Sequence, residues 1–219
     1  LIIVLKLYSK KNMAQEAYPY IIFLALLTIM IAFMQLYLIA AIFFILLLFV
    51  IYFFRDPERS IPDEKDIVVA PADGRVTKVV AINPEIANSP NLISIFLSPL
   101  DVHINRSPIA GKISDINYVK GRFVPATRED ASLINEQNVI TIENGSVKVI
   151  MKQIAGIVAR RCVLWKKTGE SVDLGERLGL IKFSSRTDLI LPAEFRILIK
   201  AGDKLKGGVT IIGRKNSNG

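Results

Sequence analysis

From Tyr18 to Phe54 the chain carries no charged side chain, and Gln35 is the only strongly polar residue in the run. One helix crosses a bilayer in about 20 residues. The run is too long for one such helix and slightly short for two, so the pattern predicts two short helices, about Tyr18–Met34 and Leu36–Phe54, turning near Gln35. One long tilted helix is the alternative. Lys6, Lys10 and Lys11 precede the run and Arg55 and Arg59 follow it. The positive-inside rule then places both ends of a hairpin in the cytoplasm. A secretory signal fits poorly, because the run is too long and no small-residue cleavage site follows it.

Beyond the charged, proline-marked stretch from Arg55 to Pro62, the pattern changes to short β-type runs punctuated by Gly and Pro. They are Ile67–Ala70, Arg75–Ile82, Ile93–Leu97, Lys112–Tyr118, Val139–Ile142, Val147–Lys152, Ile154–Val163, Leu178–Phe183, Asp188–Leu191, Phe195–Ile199 and Val209–Ile212. A short helix is expected around Arg128–Leu133. Many closely spaced strands predict a mainly β barrel or sandwich rather than alternating β and α units. The expected organisation is a leader over 1–17, a membrane hairpin over 18–54, a linker over 55–66 and a β-rich domain over 67–219. Residues 1–12, ahead of Met13, read as extra sequence before a natural start.

Two internal echoes refine the fold class. Ala70-Pro71-Ala72-Asp73-Gly74-Arg75-Val76 returns as Ser107-Pro108-Ile109-Ala110-Gly111-Lys112-Ile113. Gly169-Glu170-Ser171-Val172 with Gly175 returns as Gly202-Asp203-Lys204-Leu205 with Gly208. Gly lets a strand turn a tight corner and join another sheet. The pattern therefore predicts a pseudo-symmetric barrel-sandwich hybrid of the lipoyl/biotinyl type. Chance similarity between Gly-turn strands is the competing explanation.

Composition narrows the partners. The chain has 219 residues with 28 Lys+Arg against 20 Asp+Glu, a net charge of +8. On a membrane-tethered domain this excess suits an anionic lipid surface. The charges are scattered and no nucleic-acid motif accompanies them, so no nucleic acid partner is expected. One cysteine, Cys162, excludes an internal disulfide and a cysteine metal site, and one histidine excludes a His-rich one, so no metal is expected.

The candidate chemistry centres on Phe183-Ser184-Ser185-Arg186-Thr187-Asp188, after the strand-like Leu178–Ile181. A serine at such a strand end can attack the carbonyl carbon before it when a base takes its proton. The amide becomes an ester, loss of the serine α-proton expels the upstream acid, and hydrolysis leaves a pyruvoyl group. That ketone is an electron sink made from the chain itself. His103 is the only imidazole, and an imidazole ordinarily titrates near neutrality, which suits a base that also returns protons. A lone histidine among apolar residues is also often structural. Asp73, on a Pro-Ala-Asp-Gly turn, would either serve that turn or orient His103, and Asp101 competes for the second role. Arg106, Arg160, Arg161 and Arg186 offer bidentate contacts to phosphate or carboxylate, against an ordinary ion-pair role.

These residues resemble a known family. Phe53-Phe54-Arg55-Asp56-Pro57-Glu58-Arg59, Pro71-Ala72-Asp73-Gly74-Arg75-Val76 and Asp101-Val102-His103-Ile104-Asn105-Arg106-Ser107-Pro108 are similar to the short, membrane-anchored phosphatidylserine decarboxylases. So are Gln153 to Arg161, Gly175 to Ile181 and Phe183-Ser184-Ser185-Arg186, and the resemblance covers about residues 50–213. It implies a carboxy-lyase that cuts itself before a serine, carries a pyruvoyl prosthetic group, and converts phosphatidylserine to phosphatidylethanolamine with release of CO₂. The family's cleavage serine falls on Ser185, so the β chain would be 1–184 and the α chain 185–219. Its Asp-His-Ser set falls on Asp73, His103 and Ser185. Arg106, Arg160 and Arg186 become candidate substrate-binding residues. The implied place is the cell membrane with the β-rich domain on the cytoplasmic face, and homo-oligomers stay open.

Two departures matter. Some relatives carry a second histidine where this chain has Arg106, so His103 would serve both self-cleavage and the later proton transfer. The family has Gly before the cleavage serine and this chain has Ser184, which adds a Cβ beside the attacked carbonyl. Attack by Ser184 on Phe183 is the shifted alternative. The rival functions are a non-enzymatic, membrane-tethered hybrid-barrel adaptor and a processing-impaired decarboxylase.

Overall fold

Gln35 takes a left-handed backbone, φ 61°, between two apolar helices. In the computed structural model, which describes residues 12–86, 88–157, 161–182 and 185–216, these are α1 (Tyr18–Phe33) and α2 (Tyr37–Phe53). Pro19 lies in the first turn of α1, where its missing N–H costs nothing. The helices pack together, yet Phe23, Leu26, Phe33 and Leu38 remain exposed. A helix apolar all round needs an apolar surrounding. The helical stretch Gln15–Phe33 is long and apolar enough to cross a membrane; α2 is shorter. Ala14 N–H donates to Phe54 O at 3.0 Å, tying the start of this unit to its end.

The chain divides into Leu1–Glu58 and Arg59–Gly219. The second unit is mainly β. Its strands are β1 (Ile67–Val69), β2 (Gly74–Ala81), β3 (Asn91–Leu97), β4 (Ile104–Arg106), β5 (Gly111–Val119), β6 (Gln137–Asn144) and β7 (Val147–Ala155). They continue as β8 (Cys162–Leu164), β9 (Ser171–Val172), β10 (Arg177–Ile181), β11 (Ser185–Leu191), β12 (Phe195–Ile197), β13 (Lys204–Leu205) and β14 (Ile211–Lys215). A one-turn helix, Ala131–Ile134, precedes β6. Eight strands form a curled sheet in the order β13-β2-β3-β11-β7-β6-β5-β9. Two three-stranded sheets, β1-β14-β12 and β4-β10-β8, complete the unit.

The two sequence echoes pair with each other. Leu205 of β13 lies opposite Gly74 of β2, and Val172 of β9 opposite Gly111 of β5. Val68 lies opposite Gly213, and Asn105 opposite Gly179. Val69 N–H donates to Pro108 O at 3.0 Å while Arg106 N–H donates to Pro71 O at 2.8 Å. Lys215 N–H reaches Asp66 O at 2.8 Å, and Ile181 N–H reaches His103 O at 3.2 Å. A pseudo-twofold relation therefore carries β1-β2-β3 onto β4-β5-β6 and β7-β8-β9-β10 onto β11-β12-β13-β14. Inward-facing Ile93, Ile95, Ile140, Ile142, Met151 and Leu189 fill the core between the halves.

Three differences from the sequence reading have simple causes. Ile154–Val163 is not one strand: β7 ends at Ala155 in the large sheet and β8 begins at Cys162 in a small one. The strands β4, β9 and β13 have two or three residues each, too few to show a period. The short helix sits at Ala131–Ile134, slightly later than expected.

The paired corners are sterically strict. A Cβ on Gly74, whose φ is +145°, would stand 2.2 Å from Phe96 O, and one on Gly111 would stand 2.5 Å from Glu143 O. Gly145, at φ +59°, has nothing within 4 Å of its would-be Cβ. Gly74→Ala is therefore expected to cost about 3 kcal/mol or more, and Gly145→Ala only about 1–2 kcal/mol. Thermal unfolding of both variants in detergent checks the order.

Candidate functional site

Strand β11 is buried on both faces, and its alternation sorts the candidate residues. Ser185, Thr187 and Leu189 point one way, toward the core; Arg186 and Asp188 point the other. On the core side Thr187 belongs to a chain of buried amides. Asn105 Nδ2 donates to Thr187 Oγ1 at 2.9 Å, Gln153 Nε2 donates to Asn105 Oδ1 at 2.9 Å, and Asn138 Nδ2 donates to Gln153 Oε1 at 2.9 Å. Asn138 Nδ2 also lies 3.4 Å from the backbone oxygen of Cys162. A carbonyl only accepts, so that contact orients the Asn138 amide and, through it, each amide that follows. All the donors point toward β11. The layer is polar, while the next level inward is apolar: Ile93, Ile140, Met151 and Leu189 are fully buried there.

The same hydrogen bond aligns the two candidate catalytic groups. Asn105 and Thr187 meet; two residues earlier come His103, just before β4, and Ser185, opening β11, and Ile181, whose N–H meets His103 O, packs against Ala155 opposite Ser185. Both strands run away from this end. His103 is 2% exposed and its carbonyl accepts from Ile181 N–H. Its Nδ1 stands 2.9 Å from Asp101 O. Because a carbonyl only accepts, Nδ1 carries the hydrogen in the neutral ring and Nε2 is the basic nitrogen. Ser185 is fully buried, and its Oγ has no hydrogen-bond partner among the described residues. An orphaned buried hydroxyl costs stability, and one of the physical reasons a fold tolerates it is chemistry.

The other candidates lie elsewhere. The Asp73 carboxylate accepts from Arg59 at 3.0 and 2.8 Å and from Gly207 N–H at 2.8 Å, and its hydrogen bonds do not go to His103. Asp101 offers His103 its backbone, while its carboxylate accepts from Ser98 N–H at 2.8 Å. Arg106 is buried and donates to Gly175 O at 3.0 Å, on the side of β4 away from Asn105. Arg186 forks onto Asp188 at 2.6 and 2.9 Å and onto Ser94 Oγ at 2.9 Å, on the face of β11 away from Ser185. Arg160 and Ser184 lie outside the described residues.

The pseudo-twofold supplies an internal control. It carries His103 onto Asp66, Ser185 onto Val147, Asn105 onto Val68 and Thr187 onto Val149. Val68 and Val149 belong to the hydrophobic core. At that pole Asp66 and Val147 line a cavity of about 370 Å³ with Ile109, Leu174 and Phe195. One frame thus has two related ends, and only the His103–Ser185 end has polar groups in place of the valines.

Comparison with known proteins gives the family. The family model described as phosphatidylserine decarboxylase matches residues 46–213. The chain belongs to the phosphatidylserine decarboxylase family. A phosphatidylserine decarboxylase proenzyme of Solibacter usitatus is 48% identical over 168 residues, 77% of this chain and 79% of that protein. One of Carboxydothermus hydrogenoformans is 40% identical over 205 residues, covering 92% and 96%. A Methanocaldococcus jannaschii protein, provisionally named archaetidylserine decarboxylase proenzyme, is 42% identical over 191 residues, covering 79% and 93%.

In this member of the decarboxylase family, the sequence reading missed Asn105, Gln153, Asn138 and Thr187 as the buried polar layer of the candidate site. Two signals were present: Asn105 follows His103, and Thr187 follows Ser185, each at the two-residue spacing that shares a strand face. Cys162, whose carbonyl orients the amides, has a thiol pushed up to about 12, chiefly by burial and then by the charge of Glu136.

Two outcomes follow for this decarboxylase chain. Gln153→Met would strand the Asn105 oxygen and an Asn138 hydrogen, costing about 2–4 kcal/mol from two orphaned groups, read as a fall in the unfolding midpoint. A raised thiol pKa keeps Cys162 protonated at pH 8. Its reaction with a maleimide at that pH is expected to be at least about tenfold slower in the folded than in the urea-unfolded chain, followed by mass.

Proposed function

We propose that the chain is a self-processing, pyruvoyl-dependent decarboxylase of phosphatidylserine or its ether-lipid analogue, cut between Ser184 and Ser185. The observation that carries the reading is Ser185 Oγ, buried and without a hydrogen-bond partner among the described residues, at the same strand end as His103. A buried, uncommitted hydroxyl at the same strand end as an imidazole whose Nδ1 faces a carbonyl fits the precursor of such a group.

In self-cleavage, Ser185 Oγ attacks the carbonyl carbon of residue 184 and His103 Nε2 takes the hydroxyl proton. The bond from that carbon to the Ser185 nitrogen breaks as the ester bond to Oγ forms. Loss of the Ser185 α-proton then expels the residue-184 carboxylate, and water releases the nitrogen as ammonia. The Asp101 carbonyl holds Nδ1–H, so the ring stays turned with Nε2 forward. Asp73 fills the acid position of the family set. With its carboxylate on Arg59 and Gly207 N–H, a direct part in orienting His103 requires exchange of that ion pair.

For the lipid reaction, the pyruvoyl group supplies an electron sink for the pair left behind by CO₂. His103 Nε2 returns a proton to the substrate α-carbon. The amide layer beneath fixes His103 and Ser185 against each other, which is the positioning part of catalysis. Headgroup binding is assigned away from Arg106 and Arg186, whose guanidiniums are committed to Gly175 and to Asp188 with Ser94. The repeated halves suit a barrel-sandwich hybrid of the lipoyl/biotinyl type, and α1 with α2 is assigned as a membrane hairpin with the β unit on the cytoplasmic side.

Intact mass of the purified, membrane-extracted protein tests the reading. The expected products are 1–184 and a 185–219 fragment with a blocked terminus that takes a carbonyl reagent. Ser185→Ala should stay whole and release no CO₂; cleavage in that variant would move the site. His103→Ala is expected to slow self-cleavage by about 10²–10⁴, and Ser184→Gly to speed it by removing the Cβ beside the attacked carbonyl. A native chain that stays uncut at this bond would overturn the proposal.

A further inference from the structure

The strand directions gather parts of four connections at the Ser185 end of the large sheet: 98–103 after β3, 120–136 after β5, Gly156 and Ile157 after β7, and Lys182 after β10. Three of these carry large apolar side chains in solvent. Leu100 is 62% exposed, Phe123 38%, Leu133 77% and Ile157 56%. Single exposed apolar residues are ordinary on a soluble surface. Four on neighbouring connections around one buried site form a pattern that needs an occupant.

The charges around them identify it. Exposed Lys120, Arg122 and Arg161 and half-buried Lys182 belong to the same connections. The acidic groups there are mostly spent. Asp130 pairs with Arg128 at 2.7 Å, the Asp101 carboxylate turns back to Ser98 N–H, and Glu136 is buried against Tyr118. Glu129 alone remains exposed without a described partner against these cations. Apolar tips ringed by cations match an anionic bilayer, where the tips enter the acyl boundary and the cations meet phosphates and carboxylates.

We infer that this rim is a lipid-docking surface: Leu100, Phe123, Leu133 and Ile157 dip into an anionic membrane around the Ser185 site, with Lys120, Arg122, Arg161 and Lys182 at headgroup level. The inference rests on the decarboxylase reading and deepens it by naming the surface through which a lipid headgroup arrives. A tethering helix alone keeps the β unit near the bilayer; the rim turns one end of that unit toward it.

The test uses the full chain in vesicles of phosphatidylcholine and phosphatidylserine. On a Cys162→Ser background, Leu133→Cys is labelled with a polarity-sensitive dye, and Ile86→Cys, exposed on the β2–β3 connection at the other end, serves as control. The dye at 133 should shift blue and be quenched by nitroxide lipid, and the dye at 86 should not. The triple variant Leu100→Glu, Leu133→Glu, Ile157→Glu should still cut itself. It should turn over monomeric short-chain phosphatidylserine like the parent, and lose about tenfold on vesicles. If the triple does not cut itself, Leu133→Glu alone takes its place in the kinetic comparison. A water-like dye at 133, or unchanged turnover on vesicles, overturns the docking surface. A parent chain that neither cuts itself nor releases CO₂ sinks the decarboxylase reading instead, and the dye result still stands by itself.

Discussion

The hydrogen bond from Asn105 to Thr187 joins a strand of a small sheet to the central strand of the large one, at 2.9 Å and out of water. A buried amide that loses its partner leaves two polar groups unpaid for, so this contact pins two otherwise separate strands in a single register. His103 and Ser185 stand one side-chain step beyond it. The bond's direction is fixed at a distance: the Cys162 carbonyl orients Asn138, which orients Gln153, which orients Asn105. An apolar layer of equal volume would be cheaper to bury, but it would not specify which step of β4 faces which step of β11.

The pseudo-twofold shows what stands in the place of that layer at the other end. At the related pole, Val68 and Val149 hold the places of Asn105 and Thr187, and Asp66 and Val147 those of His103 and Ser185. Both poles share corners, strand order and backbone hydrogen bonds. The frame is therefore a generic solution to packing two curled halves, and the candidate chemistry rests on a handful of residues that differ at one end of it. Fold and function separate cleanly here.

That separation explains what the sequence discloses. The apolar run broken at Gln35, the longer strands and the Gly-marked corners are legible because each leaves a local pattern: length, alternation, or a Gly where no Cβ fits. His103 stands out as the only imidazole in the chain, and Ser185 as the hydroxyl at a strand end inside a motif that resembles the family's. The amide layer is not. Asn105, Asn138, Gln153 and Thr187 look like surface residues one at a time, and only long-range pairing brings them inside. The ion pairs of Asp73 and Arg186 are hidden for the same reason, since Arg59 and Ser94 reach them from other turns of the chain. Short strands such as β9 and β13 exist only through their partners Gly111–Lys112 and Gly74–Arg75.

The proposed cut between residues 184 and 185 falls, in sequence, between β10 and β11. β10 ends at Ile181 in a small sheet and β11 begins at Ser185 in the large one. β10 is held on both sides by β4 and β8, and β11 on both sides by β3 and β7. Breaking the chain there would leave each strand whole, with β11 of the small fragment still between β3 and β7, β13 beside β2 and β14 beside β1. A new terminus at Ser185 would thus form at a fully buried residue without unpairing either piece. A reactive carbonyl is useful only if the frame that shields it survives its making, and a cut between β10 and β11 would meet that condition.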